Sequence, residues 1–377
     1  MIQAGEYIIA SGECSHLARS KDNGKTWGDI FPIIEGRGAA GVNTPGQMYV
    51  GFGDPCIVAD RESNRVLVLS CAGNVSFPNG TRNNHQNIAR FYSEDNGATW
   101  SEPVDIADAI YAMWDNSNHG PVMAMFVGSG KIHQSRYVKV NNYYRLYCAV
   151  LLKNVSSINT NFVLYSDDFG GSWKVLGNIN TPAVYNTADE PKVEEMPDGT
   201  LLLSSRYNNG RYYNLFIYTD EAAGTGVWDE AVFSGAANNG VEAKENSTNG
   251  EVMLLPVTRV ADGEPMHILL QSLPLGPDRK SVGIYYKELE TLEDFITPEA
   301  IAADWDGRHQ SSYVAGAYST MTLQHDNNIG FLYEEDTYGI NAYGGYNIMY
   351  KNYSIEQITN GKYTVLKGKE PEAQPDQ

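Results

Sequence analysis

The sequence predicts an all-β chain folded as a six-bladed β-propeller, and three observations lead there. First, the pattern Ser-x-Asp-x-Gly-x-(Thr/Ser)-Trp occurs three times, as SKDNGKTW (Ser20 to Trp27), SEDNGATW (Ser93 to Trp100) and SDDFGGSW (Ser166 to Trp173). The copies begin at 20, 93 and 166, two equal intervals of 73 residues, and a fixed period marks a repeated supersecondary unit. Second, short apolar runs recur throughout, among them EYIIA, RVLVL, YYRLYCAVLL, TLLLSS, YYNLFIY, EVMLLPV, HILLQS, VGIYYK, IGFLYE and YNIMY, with Gly, Asn, Asp and Pro between them. Third, six four-stranded blades of roughly 55 to 65 residues each would use up the chain.

Each repeat reads as a hairpin turn. A mid-pattern Asp bonds nearby backbone N–H groups and Gly accepts a positive φ, while Trp27, Trp100 and Trp173 supply apolar plates that pin the turn to the strands beside it. ARFY and NFVLY run straight into the second and third copies as strands. TDEAAGTGVW (Thr219 to Trp228) reads as a decayed fourth copy. ELETLEDF (Glu288 to Phe295) and SIEQI (Ser354 to Ile358) are the two segments that read as helical. No composition shift marks a boundary, so one domain is expected over residues 1–366, followed by a polar, proline-bearing disordered tail at 367–377.

Composition narrows the function classes. Among 377 residues there are 37 Gly, 25 Tyr and 19% charged residues, which suits many short strands and tight turns. A formal net charge of −19 argues against a nucleic-acid partner, whose phosphates demand a basic surface. An anionic small molecule would need a local cluster of arginines. The longest apolar runs fall far short of the roughly 18 residues that span a bilayer. Cys14, Cys56, Cys71 and Cys148 lack CxxC or Cys/His ligand spacing and read as buried free thiols. The seven His residues are scattered, there is no phosphate-binding glycine loop, and no metal or organic cofactor is implied.

The three repeats resemble the Asp-box of the sialidase (neuraminidase) superfamily, in which they are structural turns. The segment DEPKVEEMPDGTLLLSSR (Asp189 to Arg206) resembles the sialidase stretch in which a Glu precedes an Arg by sixteen residues. That resemblance makes Glu190 the base that activates a tyrosine, and Arg206 one of three arginines that clamp the substrate carboxylate. AYSTMTLQHDNNIGFLYEE (Ala317 to Glu335) is similar to the nucleophile segment, which implies Tyr318 as nucleophile and Glu334 as the carboxylate orienting the first arginine. SLPLGPDRKSVGIYYK (Ser272 to Lys287) resembles the segment of the third arginine, here Arg279. GDPCIVAD (Gly53 to Asp60) extends the likeness, which runs from about residue 5 to about residue 366.

These residue types suit the chemistry. The anomeric carbon of a sialic acid carries a carboxylate, so a carboxylate nucleophile meets like-charge repulsion and a neutral phenol does not. A phenol with a pKa near 10 needs an adjacent base, and sialidases use a Tyr nucleophile in place of the usual carboxylate. Planar guanidinium groups bind carboxylates through two parallel bonds. One tyrosine among 25 carries no signal; the signal lies in the order of the segments behind three Asp-boxes. Arg136 is a further pocket candidate, and Trp114, Met125 and Phe126 are candidates for the wall of an N-acyl pocket.

Two family features are missing near the start of the sequence. These are the Arg-Ile-Pro motif with the leading clamp arginine, and the loop that carries an Asp general acid. The strand GEYIIASGE reaches Ser20 through CSHLAR alone, with Glu13 as the one nearby carboxylate. Met1 is therefore expected to be an internal methionine of a longer protein, which would fit secretion or a periplasmic location. The implied activity is that of a retaining exo-α-sialidase acting on sialylated glycoproteins, glycolipids and oligosaccharides. The alternatives are a non-catalytic sialic-acid-binding propeller and an interaction scaffold.

Overall fold

Among the described residues, six sheets, antiparallel but for one short parallel pairing, follow one another along the chain, as the blades of a six-bladed β-propeller do. The structure, a computed structural model, describes residues 1–11, 16–33, 52–187, 189–245, 247–337, 346–369 and 371. Cys14, Glu13 and most of the expected tail lie outside them. Two compact units are recognised, one of residues 1–191 with 218–228 and the other of residues 192–217 with 229–377.

In the first unit, sheet 1 holds β1 (Ile2–Ala4), β2 (Tyr7–Ser11), β3 (His16–Ser20) and β4 (Phe31–Pro32). Sheet 2 holds β5 (Phe52–Ala59), β6 (Val66–Ala72), β7 (Asn87–Ser93) and β8 (Val104–Asp105). The helix α1 (Ala107–Tyr111) leads on to sheet 3, which holds β9 (Val122–Val127), β11 (His133–Val140), β12 (Tyr143–Asn154), β13 (Asn159–Ser166), β14 (Lys174–Val175) and β15 (Val184–Tyr185). The short β10 (Gly130–Lys131) returns to lie parallel to β5. Two apolar clusters fill this unit, one around Leu67, Tyr111, Leu146 and Phe169, the other around Ile9, Phe52, Val68 and Phe91.

The second unit contains most of sheet 4, built from β16 (Pro191–Glu195), β17 (Leu201–Tyr207), β18 (Gly210–Asp220), β19 (Thr225–Trp228) and β20 (Val232–Ser234). Pro191, the end of β18 from Tyr218 onward and the whole of β19 belong to the first unit. Sheet 5 comprises β21 (Glu251–Arg259), β22 (Pro265–Pro274), β23 (Val282–Leu289) and β24 (Gly307–Gln310), with α2 (Pro298–Ala302) before β24. Sheet 6 comprises β25 (Gly316–Leu323), β26 (Ile329–Glu335) and β27 (Asn347–Tyr353). After α3 (Ile355–Ile358), β28 (Tyr363–Val365) pairs with β21 of sheet 5.

The ten apolar runs quoted above all fall on strands. The helical reading of ELETLEDF is corrected. Glu288 and Leu289 close β23, paired with Ile268 and His267, and only Leu292–Asp294 makes a single 3-10 turn. Cross-strand pairing overrides the local helical preference there. SIEQI does contain a helix, capped by Ser354, whose hydroxyl accepts from the Gln357 N–H.

The three Asp-boxes share one geometry. In each, the Ser hydroxyl donates to the Asp at 2.8–2.9 Å and accepts the Gly N–H at 2.8 Å. The same Asp accepts both the N–H and the hydroxyl of the Thr or Ser four residues on. Two successive residues take positive φ, Asn23 and Gly24, Asn96 and Gly97, Phe169 and Gly170, which is why Gly recurs. The boxes join β3 to β4, β7 to β8 and β13 to β14. Arg19 donates to the Asn96 carbonyl of the second box, and Arg90 to the Gly170 and Gly171 carbonyls of the third. Arg145 does the same for Glu221 and Ala222 in the decayed fourth turn.

Candidate functional site

Strand order places the candidate residues at one class of position. Glu190 immediately precedes β16, the first strand of sheet 4, and Arg206 is the penultimate residue of β17, the second. Arg279 lies in the connection between β22 and β23, the second and third strands of sheet 5. Tyr318 is near the start of β25, and Glu334 near the end of β26. First-strand starts and second-strand ends share one edge of an antiparallel sheet, whereas the Asp-boxes, after β3, β7 and β13, lie at the other.

Tyr318 owes its setting to a β-bulge. Gly316 faces Glu335 and Ser319 faces Tyr333, so Ala317 and Tyr318 together oppose the single residue Glu334. A bulge breaks the strand ladder and re-aims the side chain it carries. The Tyr318 N–H, displaced from the ladder, donates to Oε2 of Glu334 at 3.0 Å. The phenol oxygen of Tyr318 accepts from Nη1 of Arg206 at 3.3 Å. The guanidinium carbon of Arg279 lies 5.9 Å from the centre of the Tyr318 ring, within reach of a cation–π attraction.

The Arg279 loop is tied down by its backbone. The Gly316 N–H donates to the Arg279 carbonyl at 2.9 Å and the Ser281 N–H to the Val314 carbonyl at 3.0 Å, beside a bridge between Lys280 and Ala315. Among the described residues, the buried Nε of Arg279 has no hydrogen-bond partner. A buried guanidinium donor in that condition can still bind an acceptor. The structure thus brings Arg206, Arg279, Tyr318 and Glu334 together in the second unit.

Glu190 belongs to the first unit and is buried. Its N–H donates to Oδ1 of Asp189 at 2.9 Å. Burial pushes the Cys71 thiol well above its ordinary range, and the carboxylates of Asp54 and Glu190 add to that shift. Asp54 occupies a second bulge, at the start of β5, where Asp54 and Pro55 oppose Ser70. Its φ of 47° is a strained value for a residue with a Cβ. Sequence reasoning used its segment only as a likeness and missed the carboxylate; the Asp-Pro pair after Gly53 was the available signal.

Other candidates fall elsewhere. Trp114 and Met125 are core residues, with Trp114 edge-on to Phe162, and Phe126 stacks on Phe77. Cys56, Cys71 and Cys148 are free and buried. Glu13, the alternative acid, lies outside the described residues.

A buried polar layer, also missed by the sequence reading, adjoins Tyr318 and Arg206. Gln271 accepts from Ser204 and Tyr213 and donates to the Glu251 and Ser272 carbonyls. Ser272 and Ser319 share a hydrogen bond of 2.8 Å, and Thr320 donates to Glu251 at 2.9 Å. Arg211, opposite Arg206 on β18, is wholly buried within this layer.

The comparisons with known proteins bear on the family and the fold. The BNR/Asp-box repeat family model matches residues 91–102, the second of the three boxes. A sialidase of Clostridium perfringens is 22% identical over 337 residues, covering 84% of this chain and 76% of that protein. Its relatives are sialidases. A sialidase of Bacteroides fragilis is 28% identical over 205 residues, covering 52% of this chain and 34% of the relative. Among solved structures, the Hadza microbial sialidase Hz136 superposes with a TM-score of 0.64 at 20% identity, over 91% of this chain and 60% of that one. That likeness shows the fold, the six-bladed β-propeller of sialidases. The chain spans about a third of the Bacteroides relative and three fifths of the Hadza protein.

Proposed function

We propose that the chain is a glycoside hydrolase, an exo-α-sialidase that releases terminal sialic acid from glycoconjugates with retention of configuration. The curated relatives, all named sialidases or anhydrosialidase, support the activity. The observation that carries the mechanism is the convergence of two arginines on one phenol. Arg206 donates to the Tyr318 oxygen at 3.3 Å, and the Arg279 guanidinium lies 5.9 Å from the same ring. A chain of net charge −19 that gathers two cations around a half-buried tyrosine has the local field an anionic sugar needs.

In this reading Arg206 and Arg279 hold the sugar carboxylate, and the Tyr318 phenol oxygen attacks the anomeric carbon. The phenol proton passes to the Glu190 carboxylate as the C–O bond to the aglycone breaks, and the aglycone oxygen takes up a proton from solvent. Water then displaces the phenol: protonated Glu190 returns its proton to the departing Tyr318 oxygen, and the attacking water gives up a proton to solvent. Two inversions give net retention. Glu334 orients the site through the Tyr318 N–H. No step calls for a metal or organic cofactor, and the partners are sialylated glycans.

The test is turnover of an aryl α-sialoside followed by proton NMR. Release of the α-anomer first, before mutarotation, is the expected result. First release of the β-anomer overturns the tyrosyl-enzyme route, and absence of turnover together with saturable binding of sialic acid overturns the enzyme in favour of a binding propeller.

A further inference from the structure

We propose that Arg211 is a positioning residue that sets the spacing between Arg206 and Tyr318; this rests on the reading of Tyr318 as the reacting phenol. Arg211 is wholly buried and stands directly opposite Arg206 in the pairing of β17 with β18. Its Nε and Nη2 donate to the hydroxyl and the carbonyl of Ser204, at 2.6 and 3.1 Å. Its Nη1 points the other way, donating to the Thr248 carbonyl at 2.9 Å. The Thr248 hydroxyl donates in turn to the carbonyl of Ala317 at 3.1 Å, and Ala317 is joined by one peptide to Tyr318.

These contacts close a circuit. From Arg206 it crosses the strand pair to Arg211, passes through Thr248 to Ala317 and Tyr318, and returns through the 3.3 Å contact between the Tyr318 phenol and Arg206. All the linking hydrogen bonds between Arg211 and Ala317 are buried, where loss of a partner costs most. A planar guanidinium with donors on two sides spans β17 and the segment before β21; an ammonium is a point charge without that fork. Gly250 leaves room for it, since a Cβ there would come within 3.1 Å of Arg211 Nη1 and 2.4 Å of the Ser272 carbonyl. The bulge at Tyr318 makes the circuit necessary, because the strand ladder no longer sets the register of Ala317 and Tyr318 against β26.

Arg211→Lys and Thr248→Val test this. Both are compared with the wild type by crystallography, thermal unfolding and steady-state kinetics with an aryl sialoside across pH. In Arg211→Lys the Arg206–Tyr318 contact is expected to lengthen beyond hydrogen-bond reach. Its kcat should fall about ten- to a hundredfold with KM changed much less and the alkaline limb of the kcat profile displaced, because Arg206 no longer bears on the phenol. Thr248→Val should move the same readouts in the same direction by a smaller factor. A purely structural Arg211 would lower the melting temperature while leaving kcat per folded molecule, the pH profile and the Arg206–Tyr318 distance unchanged, and that result overturns the proposal. If Arg211→Lys does not fold, Thr248→Val decides by the same readouts. If the wild type turns over no sialoside, the functional reading falls and the crystallographic distance still decides the positioning role.

Discussion

The backbone N–H of Tyr318 donates to the carboxylate of Glu334 at 3.0 Å across a bulge in which Tyr318 and Ala317 together oppose Glu334. A carboxylate acceptor gives the displaced N–H a charge-assisted bond in place of the strand carbonyl it has left. Glu334 therefore stabilises the conformation that presents the phenol, whatever else it orients. Glu334→Ala is expected to lower stability by about 1–3 kcal/mol and to lower kcat, while Glu334→Gln, which keeps an amide oxygen, retains most of both. Urea denaturation alongside kinetics checks this. Equal loss in the two variants would mean that the negative charge, and not the acceptor, matters.

Tyr318→Phe keeps the ring that faces Arg279 and removes the oxygen that accepts from Arg206. With the reacting atom gone, kcat should fall by at least about 10³-fold, and the unfolding midpoint should stay near that of the wild type, since Tyr318 is not fully buried. Near-parental turnover would remove Tyr318 from the mechanism.

Arg206→Ala and Arg279→Ala should each weaken binding of a dehydrated sialic acid analogue, measured by titration calorimetry. A charge-assisted bond contributes about 1.5–3 kcal/mol, which is roughly ten- to a hundredfold in affinity. The two should differ in one respect. Arg206 also donates to the phenol, so its loss should depress kcat as well as affinity, whereas loss of Arg279 should act mainly on binding. Unchanged affinity in both variants would put the carboxylate clamp elsewhere.

Much of this was legible in the sequence because turns and strands declare themselves locally. Ser20, Asp22 and Gly24 sit four residues apart or less, so the box that they form is written in one short segment, and the ten apolar runs needed only their own composition. Arg206 and Tyr318 were found through the likeness of their segments, although they meet only in three dimensions. The layer around Arg211 was not legible: Ser204 finds Gln271, and Arg211 finds Thr248, across long stretches of chain. A serine in an apolar strand looks the same whether or not such a partner exists. Arg19, Arg90 and Arg145 reach other turns for the same reason unseen. The helix Ala107–Tyr111 was missed because five residues are too few for a 3.6-residue period to emerge, and ELETLEDF misled because its first two residues were already committed to β23.

The Asp-box carboxylates predict how the fold responds to acid. The Thr26 hydroxyl and N–H hold Asp22 down to about 2. For Asp95 and Asp168, burial acts to raise the pKa but is outweighed by bonds from Thr99 and Ser172 with help from Ser93 and Ser166, so both also lie below the ordinary range. Groups whose pKa is lower in the folded chain bind protons more readily when unfolded, so their contribution is fully present above the ordinary Asp value of about 4. That contribution is lost as pH falls from there toward about 2, the folded value for Asp22. The urea midpoint of the wild type should accordingly decline across this window. The triple variant Asp22→Asn, Asp95→Asn, Asp168→Asn should be less stable at neutral pH, because neutral amides accept weaker hydrogen bonds than carboxylates, and its midpoint should decline less steeply between pH 4 and pH 2. Parallel curves for the two proteins would assign the acid sensitivity to other carboxylates and leave the boxes as turns held by backbone geometry alone.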